Sequence, residues 1–211
     1  MKLGKIKVQN LVNQNNLKPH KINKLNNCIG GFYIDKKVCK NLITYFNKSN
    51  KIDGLLNLTD GKAGVDKSKK LSTDVIIQPN CNDKPIINYL SELSKVVDEY
   101  KKQYKYCDIQ QDAWGIAESW NIQRYKPKEG YFINHAEKSG FNTITRHLVF
   151  MTYLNDVSDG GETEFYYQKI KVKPETGLTL IWGSDWTFTH KGITSPTQTK
   201  YIATGWYNYL N

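Results

Sequence analysis

The sequence predicts a mainly β protein with flanking helices, arranged as a sandwich or barrel. From residue 113 onward, short segments that favour strands alternate with glycine-bearing turns at residues 127–130, 158–161 and 174–177. Aromatic residues form 12% of the chain, with 5 Trp and 14 Tyr, and such side chains favour packed β-sheets. A clear amphipathic helix at residues 84–104 precedes this region, and we expect it to pack against the outside of a sheet.

The N-terminal half supplies the other predicted elements, in chain order. A short strand is expected at residues 5–8, followed by a polar loop, and a second strand at residues 31–34. Asp35 should then cap a helix. The apolar stripe of that helix comprises Val38, Cys39, Leu42, Ile43 and Phe46. Residues 50–85 are rich in Gly, Asp, Lys and Ser, which predicts a long loop with at most a short hairpin. The stripe of the helix at 84–104 comprises Ile86, Ile87, Leu90, Leu93, Val97 and Tyr100.

Length and composition predict one domain of 211 residues, with supporting elements in residues 1–112 and a β core in residues 113–211. The first residues have no apolar stretch of the kind found in secretory signals, and no apolar run approaches membrane-spanning length. We therefore expect a cytoplasmic protein without a membrane partner. The 4 cysteines lack metal-type spacing, and free thiols are favoured over disulfides.

The net charge of +10 is concentrated in the N-terminal part of the chain. Residues 1–83 hold 15 Lys and 6 Asp, which leaves a charge of +9, whereas residues 84–211 contribute only +1. A basic surface of this kind attracts acidic substrates or nucleic acid. The lysines are interspersed with Asn rather than with aromatic residues, so we favour an ordinary solvated surface over a nucleic-acid site.

Three residues near the centre of the β region form a candidate metal site. His135 and Glu137 are two residues apart, and His190 follows 55 residues after His135. On a strand, residues two apart project to the same face, and a folded-back sheet can bring the third residue to them. Two histidines and one carboxylate are a ligand set for redox-active iron, and they leave coordination positions open for catalysis.

Further motifs surround these three residues in a fixed order. They are Arg146, Tyr153-Leu154-Asn155, Gly160-Gly161-Glu162-Thr163, Lys200 ten residues after His190, and Trp206 six residues after Lys200. With this pattern the chain resembles the iron(II)- and 2-oxoglutarate-dependent oxygenases, specifically the prolyl 4-hydroxylase-like branch, over roughly residues 123–207. The resemblance implies a double-stranded β-helix, or jelly roll, with N-terminal supporting helices. The chain departs from the usual family pattern in one position, because Glu137 stands where Asp is common.

The resemblance also implies roles for the residues near the metal. His135, Glu137 and His190 would hold Fe(II) and act as the catalytic centre, and Lys200 would bind the distal carboxylate of 2-oxoglutarate. Tyr125 and Thr163 are further candidates for that cosubstrate. In relatives of this kind a segment before the barrel closes over bound peptide, which makes the loop at 50–85 either a lid or an ordinary surface excursion.

Three residues are candidates for binding substrate by the same resemblance. They are Arg146, Trp206 and Tyr131, where an aromatic face and a guanidinium could hold a proline ring and its carbonyl. For each, structural packing is the competing interpretation. His147 should face the opposite side of its strand from Arg146 and serve a structural role.

The implied activity is hydroxylation of a peptidyl proline by O2 and 2-oxoglutarate, with ascorbate as the reductant and a proline-containing peptide or protein as the partner. Alternatives remain open: the same chemistry on another side chain or on nucleic acid, a non-catalytic jelly-roll module that binds metal, or a divalent metal site without redox chemistry. The enzymes of this chemistry that act on nucleic acid resemble a pattern with a second Arg six residues after the basic residue that binds the cosubstrate. In this chain Trp206 stands at that position, which disfavours nucleic acid as the substrate.

Overall fold

The computed structural model describes residues 17–22, 27–57 and 63–210, and these contain 2 α-helices and 15 β-strands. The helices are α1 (Lys36–Lys48) and α2 (Lys84–Gln103). The strands of the largest sheet are β1 (Gly30–Tyr33), β2 (Ile52–Asp53), β6 (Thr73–Ile77), β7 (Trp114–Gly115), β8 (Trp120–Tyr125), β10 (Arg146–Tyr153), β13 (Leu178–Gly183) and β15 (Lys200–Tyr209). The other strands are β3 (Leu56–Asn57), β4 (Ala63–Gly64), β5 (Lys70–Leu71), β9 (Gly130–Tyr131), β11 (Thr163–Phe165), β12 (Ile170–Val172) and β14 (His190–Gly192). Short 3-10 helices lie at Lys105–Cys107, Phe141–Thr143 and Trp186–Phe188.

Two antiparallel sheets form the body of the molecule. The major sheet has the strand order β1-β13-β10-β15-β8-β6-β2, with β7 paired to the end of β15, and the minor sheet has the order β12-β11-β14. Neighbours in the major sheet are distant in sequence, as in β15 between β10 and β8, whereas β11 and β12 of the minor sheet follow one another in the chain. The prediction of a mainly β jelly roll with N-terminal supporting helices is therefore confirmed.

The core has two layers, one on each side of the major sheet. Between the sheets, Phe165 of β11 packs edge-to-face on Trp182 of β13, with ring centroids 5.3 Å apart. On the opposite face, both helices cover the sheet, and Tyr89 of α2 packs on Trp120 and Phe150. Strand side chains alternate between the two layers, and this alternation leaves one end of the inner layer free to form a site.

Both helices begin close to where the sequence predicts. The Asp35 side chain accepts a hydrogen bond from the backbone N–H of Lys37 at 2.8 Å and caps α1, as expected. The predicted stripe of α2 is wrong at Ile87, which is 48% exposed. Tyr89 and Val96 are buried in its place, because α2 also contacts α1 and its buried face is wider than a single stripe.

The expectation of a long loop at residues 50–85 is wrong. This segment contains β2, β3, β4, β5 and β6, and β6 pairs with β8 in the major sheet. In β6, Val75 and Ile77 are buried and Ile76 is exposed, which is the alternation of a half-buried strand. The surrounding Lys, Ser and Asp residues hid this short pattern, because several of them are buried in pairs.

The strand expected at residues 5–8 lies outside the described residues. All 4 cysteines are free thiols, as expected. Among the described residues, no helix is both long enough and apolar enough to cross a membrane.

Candidate active site

A cavity of about 260 Å³ opens between the two sheets and receives every residue that the sequence nominated for the site. The nominated residues that line it are Tyr125, Tyr131, His135, Glu137, Arg146, Thr163, His190, Lys200 and Trp206. The cavity walls also include Leu55, Leu56, Ala63, Lys70, Ile76, Ser119, Asn121, Gln123, Met151, Trp182, Gly192, Ile202 and Thr204. Residues scattered over more than a hundred positions of the sequence thus line one cavity.

The three candidate metal ligands meet at one wall of this cavity. Nε2 of His135 and Nε2 of His190 each lie 3.5 Å from Oε1 of Glu137, and the donor atoms of all three lie within 4.8 Å of one another. His190 begins β14, while His135 belongs to a single bridge rather than to the regular strand that the spacing suggested. That bridge is tight, since each histidine donates its backbone N–H to the carbonyl of the other at 2.9 Å.

Backbone carbonyls orient both imidazole rings. Nδ1 of His135 lies 3.1 Å from the carbonyl oxygen of Ile133, and Nδ1 of His190 lies 2.9 Å from that of Phe188. Each Nδ1 can therefore donate its proton to a carbonyl, which leaves the Nε2 lone pairs directed toward Glu137. Outer hydrogen bonds of this kind fix the tautomer of metal-binding histidines.

The protonation states also suit a cation. Burial and the neighbouring His190 lower the pKa of His135, so that its ring is neutral near physiological pH. Burial alone would raise the pKa of Glu137, but hydrogen bonds and charge interactions with the two histidines hold it well below its ordinary value. A neutral imidazole and an ionised carboxylate are donor forms that a divalent metal requires.

Lys200 lies in the same cavity, on β15, and is only 4% exposed. Its ammonium donates a hydrogen bond to the carbonyl oxygen of Gly161 at 2.9 Å, and it forms no ion pair with any carboxylate in the described residues. Burial lowers its pKa to about 8, although the charge of Glu162 acts in the opposite direction. A buried ammonium without a carboxylate partner is costly, and an acidic ligand would relieve that cost.

Tyr125 and Thr163 lie beside Lys200 but are already engaged. The Tyr125 hydroxyl donates to Oε1 of Gln123 at 2.7 Å, and the Lys200 Nζ atom lies 5.1 Å from the centroid of the Tyr125 ring. Thr163 accepts from the hydroxyl of Tyr153 at 2.6 Å. The hydroxyl proton of Tyr125, a candidate residue for binding the cosubstrate, is thus donated to Gln123 in this structure.

The three residues nominated for substrate binding surround the metal ligands. Tyr131 stacks on His135, with ring centroids 3.7 Å apart and planes inclined by 12°. Trp206 donates its indole N–H to Oε2 of Glu137 at 2.9 Å. The Arg146 guanidinium lies 3.5 Å from the centroid of the Trp206 ring. Tyr131 and Trp206 therefore contact candidate ligands through their rings, and Arg146 also approaches Glu137, with Nη1 3.7 Å from Oε2.

Arg146 is bound on all sides by protein groups. Its Nε and Nη2 atoms donate to the two carboxylate oxygens of Glu118 at 2.8 Å each, and its Nη1 donates to the backbone carbonyl of Glu137 at 2.8 Å. Such a two-pronged pair is geometrically specific. His147, in contrast, faces away and contacts the Cys107 carbonyl at 2.7 Å, which confirms its expected structural place.

The sequence interpretation missed a buried polar network on the other wall. Lys70 and Asp74 form an ion pair at 2.8 Å with side chains 4% and 3% exposed. Asp74 also accepts from Ser72 at 2.8 Å and from Gln123 at 3.1 Å, and Gln123 then accepts from Tyr125. The alternation of polar residues in β8 is a signal that could have shown which of them face the cavity.

Three comparisons with known proteins bear on this arrangement. Residues 120–208 match the sequence model of the 2OG-Fe(II) oxygenase superfamily, which spans the metal ligands and Lys200. No curated protein matches the chain by sequence.

Several solved structures share the fold. A viral collagen prolyl hydroxylase from Paramecium Bursaria Chlorella virus-1 superposes with a TM-score of 0.63 at 20% identity, covering 87% of this chain and 97% of that one. A prolyl-4-hydroxylase from Pseudomonas putida gives a TM-score of 0.61 at 14% identity, with coverage of 87% and 94%. A prolyl hydroxylase from Trichoplax adhaerens, in complex with a hypoxia inducible factor peptide fragment, gives 0.66 at 17% identity, with coverage of 87% and 84%.

Proposed function

Residues 120–208 belong to the 2OG-Fe(II) oxygenase superfamily, and from this premise we propose that the chain is an iron(II)- and 2-oxoglutarate-dependent dioxygenase that hydroxylates a proline in a peptide or protein. One observation carries the proposal. A cluster of two histidines and one carboxylate shares a cavity with a buried lysine that has no carboxylate partner among the described residues. The first fits a metal and the second fits an acidic cosubstrate.

His135, Glu137 and His190 would hold Fe(II), because their donor atoms converge and their rings are oriented for it. When bound, the metal, O2 and 2-oxoglutarate would supply the oxidation of an unreactive C–H bond, with succinate and carbon dioxide as the other products. The protein's own part is to fix Glu137 through Trp206 and to exclude bulk water by the buried walls of the cavity. Ascorbate is proposed as the reductant that keeps iron in its active state.

Lys200 would bind the distal carboxylate of 2-oxoglutarate, and Tyr125 and Thr163 would line the same pocket. Binding of a carboxylate supplies the counter-ion that Lys200 lacks, so the ammonium form becomes favoured over the neutral amine. Tyr125 can take part in two ways. Its hydroxyl either rotates from Gln123 to the ligand or remains bound and accepts a hydrogen bond from Lys200.

The substrate side of the cavity suits a proline in an extended peptide. Trp206 and Tyr131 provide aromatic faces, and Leu55 and Leu56 provide an apolar cover from the segment before the barrel. Proline rings pack well on aromatic surfaces, and proline-rich chains are already extended before binding. The structural neighbours include one that is bound to a peptide fragment, which supports a peptide as the substrate class. We assign the whole chain to one catalytic domain, in which residues 1–112 support the core at 113–211.

The test combines metal dependence with product analysis. The protein is incubated with Fe(II), ascorbate, 2-oxoglutarate and a proline–alanine repeat peptide, and succinate and peptide mass are measured together. We expect succinate and hydroxyproline in equal amounts, with each product peptide heavier by one oxygen atom. His190→Ala should lose both, whereas His147→Ala, a histidine on the opposite face of β10, should retain both.

Nucleic acid serves as the competing substrate in the same assay. In the contrary outcome, single-stranded DNA or RNA stimulates succinate formation, with steep salt dependence, while no proline peptide does. That result would contradict the proposed substrate. Normal turnover by His190→Ala would contradict the proposed metal site.

A further inference from the structure

The floor of the cavity is built from two adjacent strands whose inward side chains are paired by register. Tyr125 of β8 lies opposite Lys200 of β15. Asn121, four residues before Tyr125 in β8, lies opposite Thr204. On its other side Asn121 is opposite Ile76 of β6. With a rise of about 3.3 Å per residue, Asn121 lies roughly 13 Å from Tyr125 along the strand. The Asn121 position is thus separate from the pocket that holds Lys200.

The polar groups on this part of the floor retain unused hydrogen-bonding capacity. The Asn121 side-chain amide forms no hydrogen bond with another described residue. Ser119 donates its hydroxyl proton to Gln78 at 2.9 Å, and Thr204 donates its own to the carbonyl of Phe150 at 3.1 Å. Both hydroxyl oxygens therefore keep acceptor capacity toward the cavity. Gln123, one step away on the same face, differs because Asp74 and Tyr125 occupy its amide.

We propose that Asn121, with the hydroxyls of Ser119 and Thr204 beside it, binds the main chain of an extended peptide next to the residue that is oxidised. A side-chain amide presents a donor and an acceptor together, which complements the C=O and N–H of one peptide unit. This assignment rests on the proposed function and specifies how the substrate is held. Recognition of the peptide by Asn121 is independent of the substrate's side chains, since main-chain groups are present in every peptide.

Asn121, Ser119 and Thr204 form a polar strip, and its location supports binding of a peptide main chain. Thr204 and Trp206 project from the same face of β15, one pleat repeat or about 7 Å apart, and Trp206 contacts Glu137. Leu55 and Leu56 line the same cavity as the polar strip and provide an apolar wall. A peptide with its proline near Trp206 would therefore place a neighbouring main-chain amide over Asn121 and apolar atoms against the two leucines.

The experiment compares a proline–alanine repeat peptide with an ester analogue in which one alanine beside the reacting proline is replaced by lactic acid. The ester removes one main-chain N–H and weakens the adjoining carbonyl as an acceptor. We expect Asn121→Ala to raise the KM for the amide peptide about tenfold, the scale of one or two hydrogen bonds. The KM of the wild type should be higher for the ester than for the amide, whereas the KM of Asn121→Ala should be the same for both peptides.

Asn88→Ala is the matched control, because Asn88 is an exposed asparagine on α2, outside the sheet. It should keep the wild-type difference between amide and ester. If Asn121→Ala discriminates between the two peptides as strongly as the wild type does, the proposed role of Asn121 is wrong while the proposed function stands. If the wild type oxidises no peptide, both fail together. Thermal unfolding of each variant identifies loss of fold as a separate cause.

Discussion

Trp206 donates its indole N–H to Oε2 of Glu137 at 2.9 Å, while Oε1 of the same carboxylate lies 3.5 Å from Nε2 of both histidines. The two oxygens thus have different partners, and Trp206 sets the rotation of the carboxylate. The Glu137 carboxylate thereby contacts both histidines and the indole. A carboxylate oriented in this way would offer one oxygen to the metal.

The first prediction follows from that hydrogen bond. Trp206→Phe retains an aromatic ring but removes the N–H, so Glu137 loses the group that orients it. We expect the affinity for Fe(II) or Co(II) to fall about tenfold to a hundredfold, the usual effect of losing a hydrogen bond to a metal ligand. Calorimetric metal titration measures this. Trp114→Phe is the control, because Trp114 packs on Tyr207 and His147 away from the cavity; equal loss in both variants would argue for a general packing effect.

The second prediction concerns Lys200 and pH. Burial lowers the pKa of this ammonium to about 8, so the free protein loses the positive charge above that pH. If Lys200 binds the distal carboxylate, the KM for 2-oxoglutarate should rise about tenfold per pH unit above pH 8. Lys200→Met should raise KM by roughly a hundredfold or more near neutral pH and abolish this pH dependence. An unchanged KM in this variant would remove Lys200 from the cosubstrate site.

Stability of the ligand-free protein gives an independent measure of the same group. The folded pKa of about 8 is below the ordinary value of 10.5, so between these values the unfolded chain binds a proton that the folded chain has released. The free energy of unfolding should therefore rise with pH across that window, and the full cost of the buried charge is present below it. Lys200→Met should stabilise the ligand-free protein near neutral pH and flatten the rise, as denaturant unfolding would show.

The third prediction concerns the ion pair that the sequence did not reveal. Asp74→Asn leaves the Lys70 ammonium buried without its counter-ion, and breaking such a pair typically costs about 3–5 kcal/mol in the free energy of unfolding. The Lys67–Asp53 pair is a matched control, because its N–O distance is 2.9 Å but its side chains are 60% and 57% exposed. Asp53→Asn should change stability by less than about 1 kcal/mol. Similar losses in both variants would mean that burial does not govern the Lys70 pair.

The convergence of the three candidate metal ligands and most of the fold were predictable because they depend on patterns that a sequence preserves. The His135–Glu137 spacing, the capping Asp35 and the glycine-bearing turns each reflect a local rule. Strand β6 was not predictable, because its short apolar alternation lies among polar residues that are neutralised only by distant partners. Asp74 is an example, since its contacts with Lys70 and Gln123 depend on the pairing of β6 with β8.

The contacts of Arg146 were likewise not predictable from the sequence. The sequence places it near the substrate, which is consistent with its position in the cavity wall, but it gives no sign of Glu118 as its partner. Glu118 lies 28 residues away and binds both the Arg146 guanidinium and the side-chain amide of Asn208. Partners this distant in sequence are brought together only by the folded sheet, so a guanidinium that seemed available for a ligand is bound within the protein.

The last prediction tests this difference. A residue that only contacts substrate could be removed with metal binding and basal decay of 2-oxoglutarate intact. Arg146 instead binds the backbone carbonyl of Glu137 at 2.8 Å and stacks on Trp206, so it supports a candidate metal ligand from two directions. We therefore expect Arg146→Ala to lower metal affinity and to reduce basal 2-oxoglutarate decay together with peptide hydroxylation.

Arg124→Ala is the control for this variant. Arg124 is the other arginine of the chain, and it lies on the opposite face of β8, where it donates to Thr73 at 3.1 Å and covers the Phe46 ring. It should keep metal affinity while losing some stability. Metal titration and succinate formation without peptide distinguish the two roles of Arg146. If Arg146→Ala keeps normal metal affinity and normal succinate formation but loses peptide hydroxylation, Arg146 acts on the substrate alone. Trp206 and the His135–His190 bridge would then hold Glu137 without it.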